Sequence, residues 1–292
     1  MTPPSDVSVV VPTFKRAASL RRLLTSIEAS VVPPGGLEVI VVGYEADAAR
    51  EVVGSFTNAK YIVQSGSGPA DAREAGWRAA AGSRIVFVDD DCVVSPTAIT
   101  ILAAALDHAD GVGAGIEPLG RDSLIADFAH ADGVVDHRLV KGQIQWLVTA
   151  GVAFRRDALE GVGGFQKYRY GEDTDLTLRL LATNRELRVE PSARIYHDHR
   201  TRLGQLFTSY YRRGTCERRL MGAYPNHRAA KRRAARDLLD PRSWVATYRR
   251  YAREVSAPRS VLFVVLKAVL IVPYVAGTIV GERSIERRQA AR

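Results

Sequence analysis

The chain has 292 residues, 46% of them hydrophobic, and a formal net charge of +9 from 41 Lys and Arg against 32 Asp and Glu. That length can bury a real core, as one large α/β domain or as a domain with an appendage. Its two cysteines, Cys92 and Cys216, exclude a disulfide framework and lack zinc or redox spacing, so a reducing compartment is the default.

The first residues, Met1 to Asp6, carry no basic run, and the apolar stretch Val7 to Val11 is too short for the core of a signal peptide, so no export is expected. Val7 to Val11 is β-branched and stops at Pro12, which reads as a strand. From Arg16 to Ala29 the residues Leu20, Leu23, Leu24 and Ile27 recur at helical spacing. Pro33 to Gly36 breaks the chain before a second strand, Glu38 to Val42, and a short helix is expected within Ala46 to Ser55. A third strand, Lys60 to Gln64, runs through Ser65 to Gly68 into an Ala-rich helix over Pro69 to Ala81.

The fourth strand, Arg84 to Val88, ends at Asp89-Asp90-Asp91. Three adjacent carboxylates at the carboxyl end of a buried strand stand where open α/β sheets bind ligands, and their mutual repulsion asks for a divalent cation with oxygen ligands. Thr97 to Leu106 reads as a helix opened by Ser95-Pro96. Residues 110 to 146 are rich in Gly, Asp and His and show no clear period, so an antiparallel excursion or mobile loop is expected there. A strand over Trp146 to Phe154 follows, then a short helix near Arg156 to Leu159, the turn Gly161 to Phe165, and a helix starting near Glu172. Carboxylates Glu172, Asp173 and Asp175 suit the positive end of that helix, and Asp175 reads as a helix-surface residue. Strands alternating with helices imply βαβ units and a mostly parallel sheet.

His197 and His199 follow a further expected strand, and their spacing puts both on one face. Zinc would need a third and fourth ligand, and no residue of suitable spacing stands nearby. Beyond His199 the pattern is helical, over Arg200 to Leu220, Ala229 to Leu239 and Pro241 to Val255. Residues 201 to 260 hold 15 Lys or Arg against 4 Asp or Glu, an excess of eleven that leaves the rest of the chain slightly acidic. Such a segment favours nucleic acid, an anionic membrane surface or a diphosphate-bearing substrate. Val261 to Val280 is the one extended apolar stretch, about as long as a membrane span needs, interrupted by Lys267 and weakened by Pro273. An interfacial or membrane-embedded hairpin, a helix packed on protein and a true span all stay open.

Taken in order, Ser8 to Arg16, Glu38 to Val42, Ala70 to Gly76, Val86 to Cys92, Thr149 to Gly151, Val162 to Phe165, Gly171 to Leu176 and Tyr196 to His199 resemble the family 2 glycosyltransferases of the GT-A fold. The likeness covers about residues 5 to 200. It implies an α/β fold with a mostly parallel, Rossmann-like sheet flanked by helices: a nucleotide-sugar-binding catalytic domain over 1–200 and a basic helical tail over 201–292. The activity it implies is metal-dependent, inverting transfer of a sugar from a nucleotide-diphosphate sugar to an acceptor hydroxyl.

The same resemblance assigns roles. Pro12, Thr13, Phe14 and Arg16 would line the donor pocket, with Arg73, Asp89 and Asp90. Asp91, Asp89 and His197 would hold Mn²⁺ or Mg²⁺. Asp173 would be the general base, Glu172 would orient the acceptor, and Thr149, Ala150 and Gly151 would floor the acceptor site. Where the family commonly shows a D-D-G-S string, this chain has Gly43 to Asp47, so either Glu45 or Asp47 substitutes for the base-reading carboxylate from a shifted loop or the base is read by backbone alone, and UDP, dTDP and GDP donors stay unseparated. Glu74 stands where an Asn often follows the Arg.

The basic tail carries no nucleic-acid signature and suits contact with a membrane surface, which fits a carbohydrate or lipid-linked acceptor and a cytoplasmic enzyme peripheral on the inner face of the cell membrane. A homodimer stays open. Two rivals remain: a nucleotidyltransferase on a similar fold, which would need a Gly-rich loop that Pro12 to Arg16 does not supply, and a catalytically silent scaffold binding membrane or nucleic acid.

Overall fold

The computed structural model describes residues 6–120, 123–140 and 142–281. The chain divides into two compact units, one of residues 1–120 and 135–198 and one of 121–134 and 199–292.

The first unit opens with β1 (Val7–Pro12), α1 (Ala17–Glu28), β2 (Leu37–Gly43), α2 (Ala49–Val53), β3 (Ala59–Val63), α3 (Pro69–Ala79) and β4 (Arg84–Val88). After the acidic turn come β5 (Cys92–Val94), α4 (Ala98–Ala105) and β6 (Gly111–Pro118). α5 (Leu124–Ala131) belongs to the second unit, and the chain returns through a hairpin of β7 (Arg138–Val140) and β8 (Gln143–Trp146). β9 (Gly151–Arg155), α6 (Arg156–Gly161), α7 (Glu172–Ala182) and β10 (Leu187–His197) complete it.

Eight strands form one sheet in the order β3-β2-β1-β4-β9-β6-β10-β5. β1 to β4, β6 and β10 run one way, while β9 and β5 run against them. This is the mostly parallel, helix-flanked α/β sheet expected of a GT-A fold. Both faces are covered, as the near-continuous apolar runs require. Val9, Val11, Val86 and Val88 face a core built with α1, α2 and α4. Val10, Ile85 and Phe87 face the other, with Trp77 of α3 and Leu176 and Leu180 of α7.

The segment 110 to 146, expected as an antiparallel excursion or mobile loop, holds the antiparallel hairpin of β7 and β8. Its first part is β6, a central strand paired to both β9 and β10. Its glycines hide it from a propensity reading but are required by packing: a Cβ on Gly111 would lie 2.6 Å from the Phe154 ring, and one on Gly113 2.6 Å from the His137 ring. The strand expected over Trp146 to Phe154 is shorter, because residues 147 to 150 leave the sheet before β9 begins.

The second unit is helical: α5, α8 (Leu203–Ala223), α9 (Pro225–Asp237), α10 (Pro241–Tyr251) and α11 (Ala257–Val280). Among the described residues α11 is the one helix long and apolar enough to cross a membrane. It is continuous through Pro273, which corrects the hairpin alternative. It runs parallel to α8. Lys267 Nζ lies 5.6 Å from the Tyr210 ring, Gly214 and Gly277 each abut the other helix's backbone, and Arg218 donates to Ile279 O at 2.7 Å.

Two buried carboxylates organise this unit. Asp132, just after α5, accepts hydrogen bonds from Tyr210, from Tyr251 at 2.7 Å, from Lys267 at 2.7 Å and from Arg250 at 3.0 Å. Burial alone would raise its pKa, but Lys267 and the two tyrosines hold it below the ordinary carboxylate value. Glu217 of α8 meets His227 and, at 2.8 Å, Lys231 of α9. Lys267, which interrupts the apolar run in sequence, is thus turned inward.

Candidate active site

The acidic turn sits where the carboxyl ends of β1, β4 and β10 meet the start of β9. Register pairs Val88 with Gly151 and Cys92 with His197, which brings the Asp triplet, Thr149 to Gly151 and His197 to one edge of the sheet. The three carboxylates diverge. Asp89 accepts from Arg73 Nη2 at 2.7 Å. Asp90 turns inward, accepts from the Thr13 hydroxyl at 2.8 Å and lies 3.3 Å from Arg16 Nη1. Burial pushes Asp90 up to about 6 against the pull of Thr13 and Arg16. Asp91 is paired with Arg16 on one oxygen and lies 3.4 Å from His197 Nε2 with the other.

That second oxygen, Asp91 Oδ1, is buried and accepts no hydrogen bond among the described residues. A buried carboxylate oxygen without a donor is costly, and a divalent cation between it and His197 would satisfy it. Donor atoms of Asp91, Cys92 and His197 lie within 4.8 Å of one another. Burial, with Asp89 and Asp91 nearby, keeps the Cys92 thiol well above its ordinary pKa and so protonated. Sγ approaches Ala150 O at 3.5 Å instead, leaving an oxygen and nitrogen set suited to Mn²⁺ or Mg²⁺. Asp89, expected as a further ligand, lies outside this cluster and is bound to Arg73.

Arg73, on α3 and fully enclosed, links the turn to α7. Its Nη1 donates to Glu172 Oε1 at 2.6 Å while Nη2 holds Asp89. Gly171 caps α7 with φ +72, a left-handed conformation that a side chain would strain, and so brings Glu172 and Asp173 into its first turn. Asp173 Oδ1 accepts from Thr174 N at 2.7 Å, which fixes the carboxylate. Burial raises both acids, Glu172 to about 7, with Arg73 opposing the shift in each case. Asp175 is not on the helix surface. It is buried and receives Arg179 Nε at 2.9 Å.

Thr149 and Ala150 are buried, and a Cβ on Gly151 would strike Ile195 and Ile116. Two residues that sequence reasoning missed hold their loop. Val148 N donates to His137 Nδ1 at 3.0 Å, and Leu147 N donates to Thr177 Oγ1 at 3.1 Å. Burial lowers His137 to about 4, so it stays neutral and keeps that acceptor. Glu74 is a third. It accepts from Trp77 Nε1 at 2.6 Å and from Phe165 N at 2.8 Å, pinning the Gly163-Gly164 turn that leads to α7.

At the other end of the site the Phe14 and Tyr44 rings meet edge to face at 5.2 Å, with Phe14 exposed. Both candidate carboxylates there already have partners. Asp47 is buried and accepts from Lys15 N at 2.7 Å and Ala49 N at 3.0 Å, and Glu45 is exposed and paired with Arg50. His199 lies in the second unit, its ring 5.6 Å from that of His130.

The family model described as "Glycosyltransferase like family 2" matches residues 3–215. A pre-mycofactocin glycosyltransferase of Mycobacterium tuberculosis is 30% identical over 219 residues, which is 68% of this chain but 44% of that protein. The probable glycosyltransferase YdaM of Bacillus subtilis is 23% identical over 206 residues, 64% of this chain and 49% of its own length, so the chain spans about half of each. In structure the chain is similar to a mannosyltransferase of Pyrobaculum calidifontis solved with GDP-Man and Mn²⁺, at TM-score 0.60 and 18% identity over 94% of this chain and 84% of that one. It is also similar to residues 1–349 of S. aureus TarS solved with UDP-GlcNAc, at TM-score 0.57 and 17% identity over 94% and 91%. A sheet edge that gathers the family's acidic strings around one arginine, and a family match running through most of the sequence, place the chain in the glycosyltransferase-like family 2.

Proposed function

We propose that the chain is an inverting glycosyltransferase that moves a sugar from a nucleotide-diphosphate donor to an acceptor hydroxyl. The observation that carries this reading is the Arg73 bridge, which ties Asp89 of the acidic turn to Glu172 beside Asp173. Donor and acceptor chemistry then share one site.

In this reading Asp173 accepts the proton of the acceptor hydroxyl as its oxygen attacks the anomeric carbon. The bond from that carbon to the diphosphate breaks with its electron pair, and the configuration inverts. Asp91 and His197 would hold Mn²⁺ or Mg²⁺, which when bound supplies neutralisation of the leaving diphosphate. Glu172 orients the acceptor and is itself held by Arg73. Thr149 and Ala150 would floor the acceptor site with small side chains, while Gly151 is kept small by Ile195 and Ile116. Phe14 and Tyr44 offer aromatic surface to a nucleobase, so UDP, dTDP and GDP donors are all within the reading. A lipid-linked acceptor, with the chain peripheral on the inner face of the cell membrane, is favoured by the basic helical unit and its apolar helix.

Calorimetry with UDP, dTDP and GDP sugars, with and without Mn²⁺, tests the donor class. Asp173→Asn should keep donor binding and lose turnover by roughly a hundredfold to ten-thousandfold. Unchanged turnover in that variant, or no binding of any donor, overturns the proposal, and NMR of the product's anomeric configuration checks inversion.

A further inference from the structure

We infer that α10 and the outer face of α11 form a docking surface for an anionic lipid leaflet, with α11 lying in the membrane plane rather than crossing it. Since Lys267 turns inward to Asp132, the opposite face carries Val261, Val265, Val269, Val272 and Ile279, all exposed. Their spacing follows the helical repeat, giving one uninterrupted apolar stripe about 27 Å long. It widens at its start into a shallow groove, where Trp244, Val245 and Tyr248 of α10 meet Val261 and Val264. Tryptophan and tyrosine beside an apolar surface suit the boundary between headgroups and acyl chains.

Charge identifies the occupant. Arg242 and Arg249 stand three residues before and four after Val245, on the same face of α10, and both are exposed. Toward the other end of the stripe, Lys231 Nζ of α9 lies 5.9 Å from the Tyr274 ring. That contact reaches the Tyr274 side of α11, which faces α8, and α9 itself exposes Arg228, Arg232, Arg233 and Arg236. An apolar stripe bordered by guanidinium groups matches acyl chains bordered by phosphates. A second copy would bring like-charged helices against each other across the same stripe.

Crossing the bilayer is opposed by α8. It runs along the inner face of α11 through the Gly214 and Gly277 contacts and carries Arg212, Arg213, Arg218 and Arg219. A span would draw those charges toward hydrocarbon or break the seam. This inference does not rest on the transfer chemistry, because its test reads membrane binding alone.

The test is flotation of the full chain with vesicles of phosphatidylcholine alone or mixed in equal parts with phosphatidylglycerol. Binding to the mixed vesicles only, weakened by salt, is expected. Arg242→Ala with Arg249→Ala should weaken it about thirtyfold, and Val265→Glu with Val272→Glu about a hundredfold or more, each with melting temperature and sedimentation unchanged. Failure to float, or a dimer that the two glutamates convert to a monomer, overturns the inference. Spin labels on Val261→Cys and Ile279→Cys give the disposition, since Cys92 and Cys216 are buried. Equal immersion depths support the in-plane helix, and depths differing by about 27 Å refute it.

Discussion

Asp89 and Glu172, from turns 83 residues apart, share a single guanidinium. Arg73, itself buried, holds the first at 2.7 Å and the second at 2.6 Å. A buried acid and a half-buried one on a single buried cation form a unit from which the arginine cannot be removed without leaving charge uncompensated.

Arg73→Met should therefore destabilise the first unit by about 3–5 kcal/mol, read as a lower denaturant midpoint. Arg73→Lys keeps the charge without the fork, so it should fall between wild type and Arg73→Met. An Arg73→Met variant as stable as wild type would remove the bridge from the account.

The pH dependence of turnover follows from the raised acids. Glu172 is pushed up to about 7 and Asp173 rises with it, so the pair titrates together and its basic form is reached only as pH climbs toward neutrality. The kcat/KM profile should rise on a limb lying above the ordinary carboxylate range, and in Asp173→Asn this limb should vanish. For stability the sign is opposite. The folded state binds these protons more tightly than the unfolded one, so the pair's contribution is full below the unfolded carboxylate range and declines as pH rises through the folded values.

Mn²⁺ should raise the melting temperature of the full chain in the absence of any donor. At a hundred times the dissociation constant the gain is about 2.7 kcal/mol. Asp91→Asn and His197→Gln should each abolish the Mn²⁺-dependent shift, whereas Cys92→Ser should retain it. A shift that survives both ligand variants would place the cation elsewhere.

Glu217 predicts an acid limb in the second unit. Burial would raise its pKa, but His227 and Lys231 pull it down to about 2 from an ordinary 4.5. Its contribution, on the order of 3 kcal/mol, is present above about 4.5 and is lost as pH falls toward about 2. Denaturant melts across that window should show the loss, and Glu217→Gln should flatten it.

Gly113→Ala checks the packing of β6. The added methyl would meet the His137 ring, and the expected cost is about 1–3 kcal/mol. Gly142→Ala, which meets no neighbour among the described residues but sits at φ +78, should cost only the backbone strain.

Much of this was legible in the sequence because the period of the apolar residues carries it. Val7 to Val11, Leu20 to Ile27 and Arg84 to Val88 place the sheet edge, and the Asp triplet and Gly171 to Asp173 mark its chemistry. What escaped was set by contacts distant in sequence. β6 is glycine-rich because Phe154 and His137 fill the space its side chains would take, so Val112 and Ile116 are its only β-branched residues. His137 and Thr177 look like any loop histidine and helix threonine until the fold sets them under residues 147 to 150. Glu74 was visible as a departure from the family's usual Asn, yet its bond to Phe165 N spans 91 residues and has no local signature. Lys267 misled for the same reason: its partner, Asp132, lies 135 residues earlier.

The membership of α5 in the helical unit bears on where the gene can be cut. Phe128 packs its ring against those of Tyr251 and Phe263, at 6.3 Å and 5.4 Å. A truncation at residue 200 would look tidy on paper, yet it would strip Phe128 of both rings and Asp132 of four donors, producing a sticky fragment. Expression of a trimmed catalytic piece would need the segment around 121–134 replaced by a short polar linker.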